Sequence, residues 1–199
     1  MIATAVSRWT DPRLPPWKST LMEAAELLAA VPRGQLDIGV LTTLHRLLVP
    51  ATNPGRGSVR DQPTVIWLNG VVIQTLPTAE EALTMVAGAL QALEAAITSG
   101  AAEAKPVITS SEIVFRLLQA HPFMDGNGRL ARAVGNWVLQ AGGYSVVADP
   151  QRYCRKRKAT YYESLAIRQG VPPHTPDPVP WNVFFAEVVA DCYLAASRS

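Results

Sequence analysis

The string HPFMDGNGR, residues 121–129, gathers a base, a carboxylate, two glycines, a carboxamide and a guanidinium within one turn. His121 is one of only three histidines, and an imidazole of ordinary pKa, about 6.5, accepts a hydroxyl proton at neutral pH. Pro122 disfavours helical geometry at the residue before it, so an incoming helix should end at His121 and turn the ring outward. Phe123 can pin the loop into the core. Gly126 and Gly128 let the backbone approach a ligand closely. Asn127 suits the N-cap of a following helix, which leaves the N–H groups of residues 128–130 free as an anion site. Arg129 and Arg132 add two cations with phosphate-matching geometry. They stand at the helix end whose dipole disfavours cations, a conflict that a bound anion would resolve. Asp125 is the carboxylate open to Mg²⁺, which commonly takes one or two carboxylates plus phosphate oxygens. Together these parts fit the phosphates of a nucleotide.

Other readings of the string fare worse. A calcium loop starting at Asp125 would need an acidic or amide group where Arg129 stands, glycine in place of Leu130 and glutamate in place of Asn136. Zinc lacks nearby His or Cys partners. The G-x-x-x-x-G-K-[ST] phosphate loop is absent. A plain interhelical turn with solvated arginines would not need so particular a combination.

The elements that must position this turn read as helices with one exception. Residues 18–31 are rich in helix formers and stop before Pro32 and Gly34. Leu41, Leu44 and Leu48 mark a second helix ending by Pro50, with His45 near its apolar stripe as a core or boundary histidine. Residues 64–76, TVIWLNGVVIQTL, are two β-branched runs joined by Asn69-Gly70, the pair that best tolerates positive φ in a hairpin turn. A helix from Thr78 to about Thr98 opens with a capping box. Ser110 or Ser111 is expected to cap the next helix, residues 112–120. Beyond the turn, Leu130, Val134, Trp137, Val138 and Ala141 share a face, and Gly142-Gly143 ends that helix. A further helix is expected after Pro150, through YCRKRKATYYESLAIRQ to Gly170. The last helix carries Trp181, Phe184, Phe185, Val188, Val189, Cys192 and Tyr193 on one stripe. The chain reads as all-α with one β-hairpin.

Composition narrows the classes. At 199 residues, 48% of them hydrophobic and 17% charged, the chain can bury a core as one domain. A net charge of +2 singles out neither nucleic acid nor a membrane. The basic run at 152–158 reads first as a solvated helical face. Cys154 and Cys192 match no metal or redox spacing. The N-terminal residues lack a secretory core, and no apolar run reaches the roughly 18–20 residues of a membrane span. Cytoplasm is the expected compartment, although delivery into a host cell by a specialised machine would leave no mark in the sequence.

HPFMDGNGR resembles the signature of the Fic family, H-P-F-x-[DE]-G-N-[GK]-R, with every defining position filled. Arg132 matches a second family arginine, the hairpin sits where the family carries its target-positioning flap, and KATYYESL and PWNVFF resemble later family helices. The likeness covers roughly residues 36–195. It implies a Fic-type helical bundle, with residues 36–199 as the catalytic domain and residues 1–35 as an N-terminal helical segment. The activity it implies is transfer of AMP from ATP, with Mg²⁺, to a Ser, Thr or Tyr hydroxyl of a target protein. His121 would be the general base and Asp125 the Mg²⁺ ligand. Phe123, Gly126, Asn127, Gly128, Arg129 and Arg132 would line the nucleotide site: Asn127 at the α-phosphate, Arg129 at the leaving diphosphate, Arg132 at the γ-phosphate. Ile66, Trp67, Leu68, Asn69, Gly70, Val71 and Val72 would form the flap, offering backbone hydrogen bonds to an extended target segment.

Keeping Gly126 and Gly128 before Arg129 matches the AMP-transferring members more than the phosphorylating Doc type. Transfer of UMP or phosphate, or a silent nucleotide-binding module held by a partner, stays open as an alternative. Many members carry an inhibitory helix, [ST]-x-x-x-E-[GN], whose glutamate pairs with the second arginine. Ser19 to Glu23 supplies its first five positions with Ala24 at the sixth, and Ser99 to Glu103 repeats the loose pattern before Ala104. A small inhibitory antitoxin acting in trans is the other expected control. The sequence leaves the oligomeric state open.

Overall fold

The computed structural model describes residues 16–68, 71–144, 158–165 and 177–196. Helix α1 spans Pro16–Ala30 and α2 Ile38–Leu48; β1, Val65–Leu68, and β2, Val71–Thr75, form the antiparallel hairpin. Then come α3 (Ala79–Thr98), α4 (Ala101–Ala104), α5 (Pro106–Ala120), α6 (Asn127–Ala141), α7 (Lys158–Ser164) and α8 (Val179–Ala196). The all-α reading with a single hairpin holds. Among the described residues no helix is long and apolar enough to cross a membrane. The expected helix from Pro150 is described only at α7 and the following Leu165; its other residues, the basic run before Lys158 and Cys154 lie outside the described residues.

Local chemistry explains most boundaries. Asp37 caps α2 by accepting the Val40 N–H at 3.0 Å. Thr78 and Glu81 form the anticipated capping box on α3, each side chain accepting the other's backbone N–H. Leu68 pairs with Val71, so Asn69 and Gly70, outside the described residues, make the connection. The register shifts between Ile66 and Trp67, where β2 inserts one extra residue.

One boundary corrects the sequence reading. Helix α5 starts at Pro106, in the first helical position that suits a residue without an N–H, and not at a serine cap. Ser110 and Ser111 are buried within it and serve tertiary contacts instead. Ser110 Oγ donates to Gly135 O across the α5–α6 crossing at 2.8 Å. Ser111 Oγ lies 2.6 Å from Asn182 Oδ1, and its carbonyl accepts the Trp181 indole N–H at 2.9 Å.

Helix α6 is the axis of the molecule. It packs on α5, α1 and α2, and is buried well beyond the one face that its periodicity suggested. Gly135 makes the close α5–α6 approach feasible, because a Cβ there would lie 2.4 Å from Val114 Cγ2. Helix α8 covers the other side of α5 with Trp181, Phe184, Phe185, Val188 and Val189, while Tyr193 at its end is exposed. Trp181 sits among the rings of Phe115, Tyr161, Phe184 and Phe185. Gln119 Nε2 donates to Leu165 O at 2.6 Å and fastens the end of α7 to α5. The scaffold thus fixes the C-terminus of α5 and the N-terminus of α6, the two ends between which the 121–126 turn is strung.

Candidate active site

His121 ends α5 as its C-cap, its N–H donating to Leu117 O at 3.1 Å. Its backbone is left-handed (φ 49°, ψ 57°), the one such non-glycine residue among the described ones. That conformation costs about 1–2 kcal/mol and persists because its surroundings hold it. Arg60 is the main holder. Its Nε–H donates to His121 O at 2.8 Å and its backbone N–H to Pro122 O at 2.9 Å. The imidazole is half-buried, with Nδ1 at 3.4 Å from Leu118 O. A carbonyl can only accept, so that contact assigns the proton to Nδ1 and leaves the lone pair on Nε2. Burial, seconded by the Arg60 charge, pushes the ring down to about 4 against the opposing pull of Leu118 O and Asp125. His121 is therefore neutral at neutral pH, the state that a general base needs.

Behind the loop stands His45, which α2 delivers from the opposite side. Its ring stacks on Phe123 with centroids 3.9 Å apart and planes 5° from parallel. Nδ1 accepts the Gly57 N–H at 2.8 Å, which places the ring proton on Nε2, and Nε2–H donates to Asp125 O at 2.7 Å. Burial holds this imidazole below its ordinary pKa, although the Asp125 carbonyl and carboxylate favour the charged form. The expected core histidine is thus buried, and it also braces the loop. Gly126 completes the fit: its φ is 84°, and a Cβ would fall 2.5 Å from Val49 Cγ2 and 2.8 Å from His45 Nε2. Only glycine satisfies both constraints.

Two expected nucleotide contacts turn inward. The Phe123 side chain is fully buried, and its N–H and carbonyl are both taken by the Asn127 amide, at 3.0 and 2.7 Å. Phe123 therefore anchors the loop and presents no group to a ligand. Asn127 is also buried; it is the first residue of α6, and Gly126 occupies the cap position with no side-chain cap. The carboxamide closes the loop on itself because a buried amide needs partners within reach, and Phe123 offers both.

The uncapped end is what faces outward. Leu130 N–H pairs with Gly126 O, so the preceding amides of Asn127, Gly128 and Arg129 belong to the unsatisfied first turn of α6. A Cβ on Gly128 would sit 3.2 Å from Arg132 Nη1, which brings that guanidinium against the same turn. The Arg129 side chain is 44% exposed and its Nη1 is 3.9 Å from Asp125 Oδ2. The Asp125 carboxylate, 60% exposed, accepts from Asn53 Nδ2 at 3.1 Å. A lone, oriented, open carboxylate beside an anion-seeking helix end suits a magnesium ion shared with phosphates, and suits a closed protein-only metal cage poorly. Among the described residues no cluster of three His, Cys, Asp or Glu could hold a metal by itself.

The hairpin joins the site through its root. The guanidinium of Arg60, a residue 3% exposed, also donates to Gln62 O at 3.0 Å and to Pro77 O, with Thr78 O at 3.5 Å. Helix α1, which carries Ser19 and Glu23, runs against α6 and α2. Ala24, Ala25 and Leu28 are buried there and Glu23 is exposed; among the described residues no ion pair links Glu23 to Arg132. Sequence reasoning missed the roles of His45, Asn53 and Arg60. A histidine on an apolar stripe ahead of a glycine-rich loop was a signal for the first; nothing local distinguishes Asn53 or Arg60 from solvated loop residues.

A family model described as the Fic/DOC family matches residues 35–139. A Drosophila yakuba protein named protein adenylyltransferase Fic is 30% identical over 87 residues, 44% of this chain and 15% of that protein. The chain therefore spans a small part of that relative's length. The crystal structure of a Fic family protein from Desulfovibrio desulfuricans superposes with a TM-score of 0.66 at 21% identity, over 98% of this chain and 58% of that one. IbpAFic2, crystallised in complex with adenylylated Cdc42, gives a TM-score of 0.63 at 19% identity, covering 96% of this chain and 60% of that one. These structural likenesses establish the fold.

Proposed function

The chain belongs to the Fic/DOC family, and we propose that it is a protein adenylyltransferase, moving AMP from ATP to a Ser, Thr or Tyr hydroxyl of a target protein. The observation that carries this reading is the pairing of a neutral, half-buried His121 with the uncapped, doubly cationic start of α6. The name of the Drosophila relative and the adenylylated partner of IbpAFic2 support the choice of AMP as the group transferred.

The triphosphate lies against the first turn of α6, whose free amides and dipole favour anions. Arg129 steadies the diphosphate that leaves and Arg132 the γ-phosphate. Asp125, turned by Asn53, would hold Mg²⁺; when bound, that ion neutralises phosphate charge as the leaving group departs. His121 Nε2 takes the proton from the target hydroxyl. The oxygen then bonds to the α-phosphorus, the bond to the bridging α–β oxygen breaks, and pyrophosphate departs. The edge of the hairpin aligns the target by main-chain hydrogen bonds. Asn127 and Phe123 act by keeping the loop in shape.

The test is incubation with Mg²⁺ and ATP labelled at the α-phosphate, alone and with a lysate, followed by mass spectrometry. A covalent AMP adduct that disappears in His121→Ala is the expected result. A bare phosphate adduct, or a UMP adduct formed when UTP replaces ATP, would redirect the reading within the family. ATP binding with no adduct at all would replace it by a silent, partner-controlled module.

A further inference from the structure

We propose that Arg60 is a positioning residue for the transfer reaction: its guanidinium locks both legs of the hairpin to the main-chain carbonyl of His121, so that target segment and base are held in one register. The proposal rests on the adenylyl-transfer reading given above.

The bonds themselves carry the argument. Arg60 reaches Gln62 O on the leg entering the hairpin, Pro77 O and Thr78 O on the leg leaving it, and His121 O at the end of α5. Its own N–H holds Pro122 O. A guanidinium carries five N–H donors spread in a plane, which is what acceptors from three separate segments require; an ammonium concentrates its donors at one point. The group is almost fully buried, and its partners among the described residues are carbonyls. Burial lowers its pKa, as expected for a cation without a carboxylate beside it. Burying a cation in that way is unfavourable unless hydrogen bonds and local dipoles offset it, and the C-terminal end of α5 supplies one such dipole. A solvated arginine, or one kept for a surface ion pair, would not be built so.

The hairpin needs this fixture. Among the described elements the strands pack chiefly on each other, and an isolated two-stranded hairpin is marginal in water. Its root is anchored: Leu76 N–H donates to Thr64 O at 3.1 Å, and Leu76, which precedes the gripped Pro77, is buried. What the root adopts, the strands inherit. The same guanidinium grips the one left-handed non-glycine residue among those described, whose side chain is the base. Flap and base are therefore set against a common point.

Arg60→Lys and Arg60→Met in the full chain test this by readouts that a general loss of packing would not separate. Amide hydrogen exchange over residues 65–68 and 71–75, calorimetric binding of Mg²⁺-ATP, an NMR titration of the His121 ring and the rate of self-modification are compared with wild type. Both variants are expected to speed hairpin exchange, and to lower kcat for transfer, by on the order of tenfold while ATP affinity stays within about twofold. The charged groups that act on the His121 ring are Arg60 and Asp125. Arg60→Met should therefore raise the ring's pKa, and Arg60→Lys, which keeps the charge, should raise it less. Arg60→Lys with wild-type exchange and wild-type kcat would overturn the proposal. So would failure of both variants to melt cooperatively, which would make Arg60 a purely structural residue. If wild-type protein transfers no AMP, the functional reading falls, yet hydrogen exchange and the ring titration still decide whether Arg60 couples hairpin to base.

Discussion

Replacing His45 by leucine removes, at nearly constant volume, the ring through which α2 braces the 121–129 loop. The Gly57 N–H loses its acceptor in a buried setting, which costs about 1–3 kcal/mol. Asp125 O loses its 2.7 Å donor but lies in an exposed residue where water can replace it, for about 0.5–1 kcal/mol. The parallel stack on Phe123 is worth about 0.5–1.5 kcal/mol beyond its area. The sum is about 2–5 kcal/mol, which for a domain of this size lowers Tm by on the order of 10 °C. Urea unfolding measures the first figure and a thermal melt the second. Because the loop carries Asp125 and the start of α6, Mg²⁺-ATP affinity should fall with stability. His45→Gln is the control: its amide can reach Asp125 O but not also accept from Gly57, so it should recover only part of the loss. A destabilisation below about 1 kcal/mol with unchanged nucleotide affinity would refute the bracing role. Acid should act like a mild form of the same change. The ring's folded pKa is depressed by burial, so its contribution to stability is complete above about pH 6.5 and is lost as pH falls toward the folded value.

For His121, depressed to about 4, kcat/KM of the free enzyme should stay flat from neutrality to about pH 5 and turn down near pH 4. An acid limb centred near 6.5 would show an ordinary, solvated base. The same depression makes His121 stabilising in full above about pH 6.5, with roughly 3 kcal/mol lost as pH falls toward the folded value, readable as a pH-dependent urea midpoint. Gly135→Ala places a methyl 2.4 Å from Val114 Cγ2 and 3.0 Å from Ser110 Oγ, so a loss of about 1–3 kcal/mol is expected by denaturant titration. Stability within error of wild type would mean that the α5–α6 crossing is loose. If Glu23 restrains Arg132 when nucleotide is present, Glu23→Gly should raise self-modification severalfold; equal rates in both proteins would dismiss α1 as an inhibitory segment.

The sequence by itself determined what neighbours in the chain can settle. Helical periodicity, the Thr78–Glu81 box, the Asn69-Gly70 hairpin and the break at His121-Pro122 depend on contacts a few residues apart, and the box, the hairpin and the break lie where those contacts put them. The composition of the turn likewise suggested a phosphate-binding chemistry, while the structure shows that Phe123, Gly126 and Asn127 also meet packing needs of the loop itself. The expected serine cap and the expected Asn127 cap fail for one cause. A hydroxyl or carboxamide that could serve a helix end served buried partners instead, and which partners are buried is a property of packing. Only tertiary structure could recruit His45, whose partner Asp125 is 80 residues away, and Arg60, 61 residues from the carbonyl it grips. Hydrogen bonds of that span leave no periodic trace in the sequence, because the fold alone decides which unsatisfied carbonyl a buried donor meets.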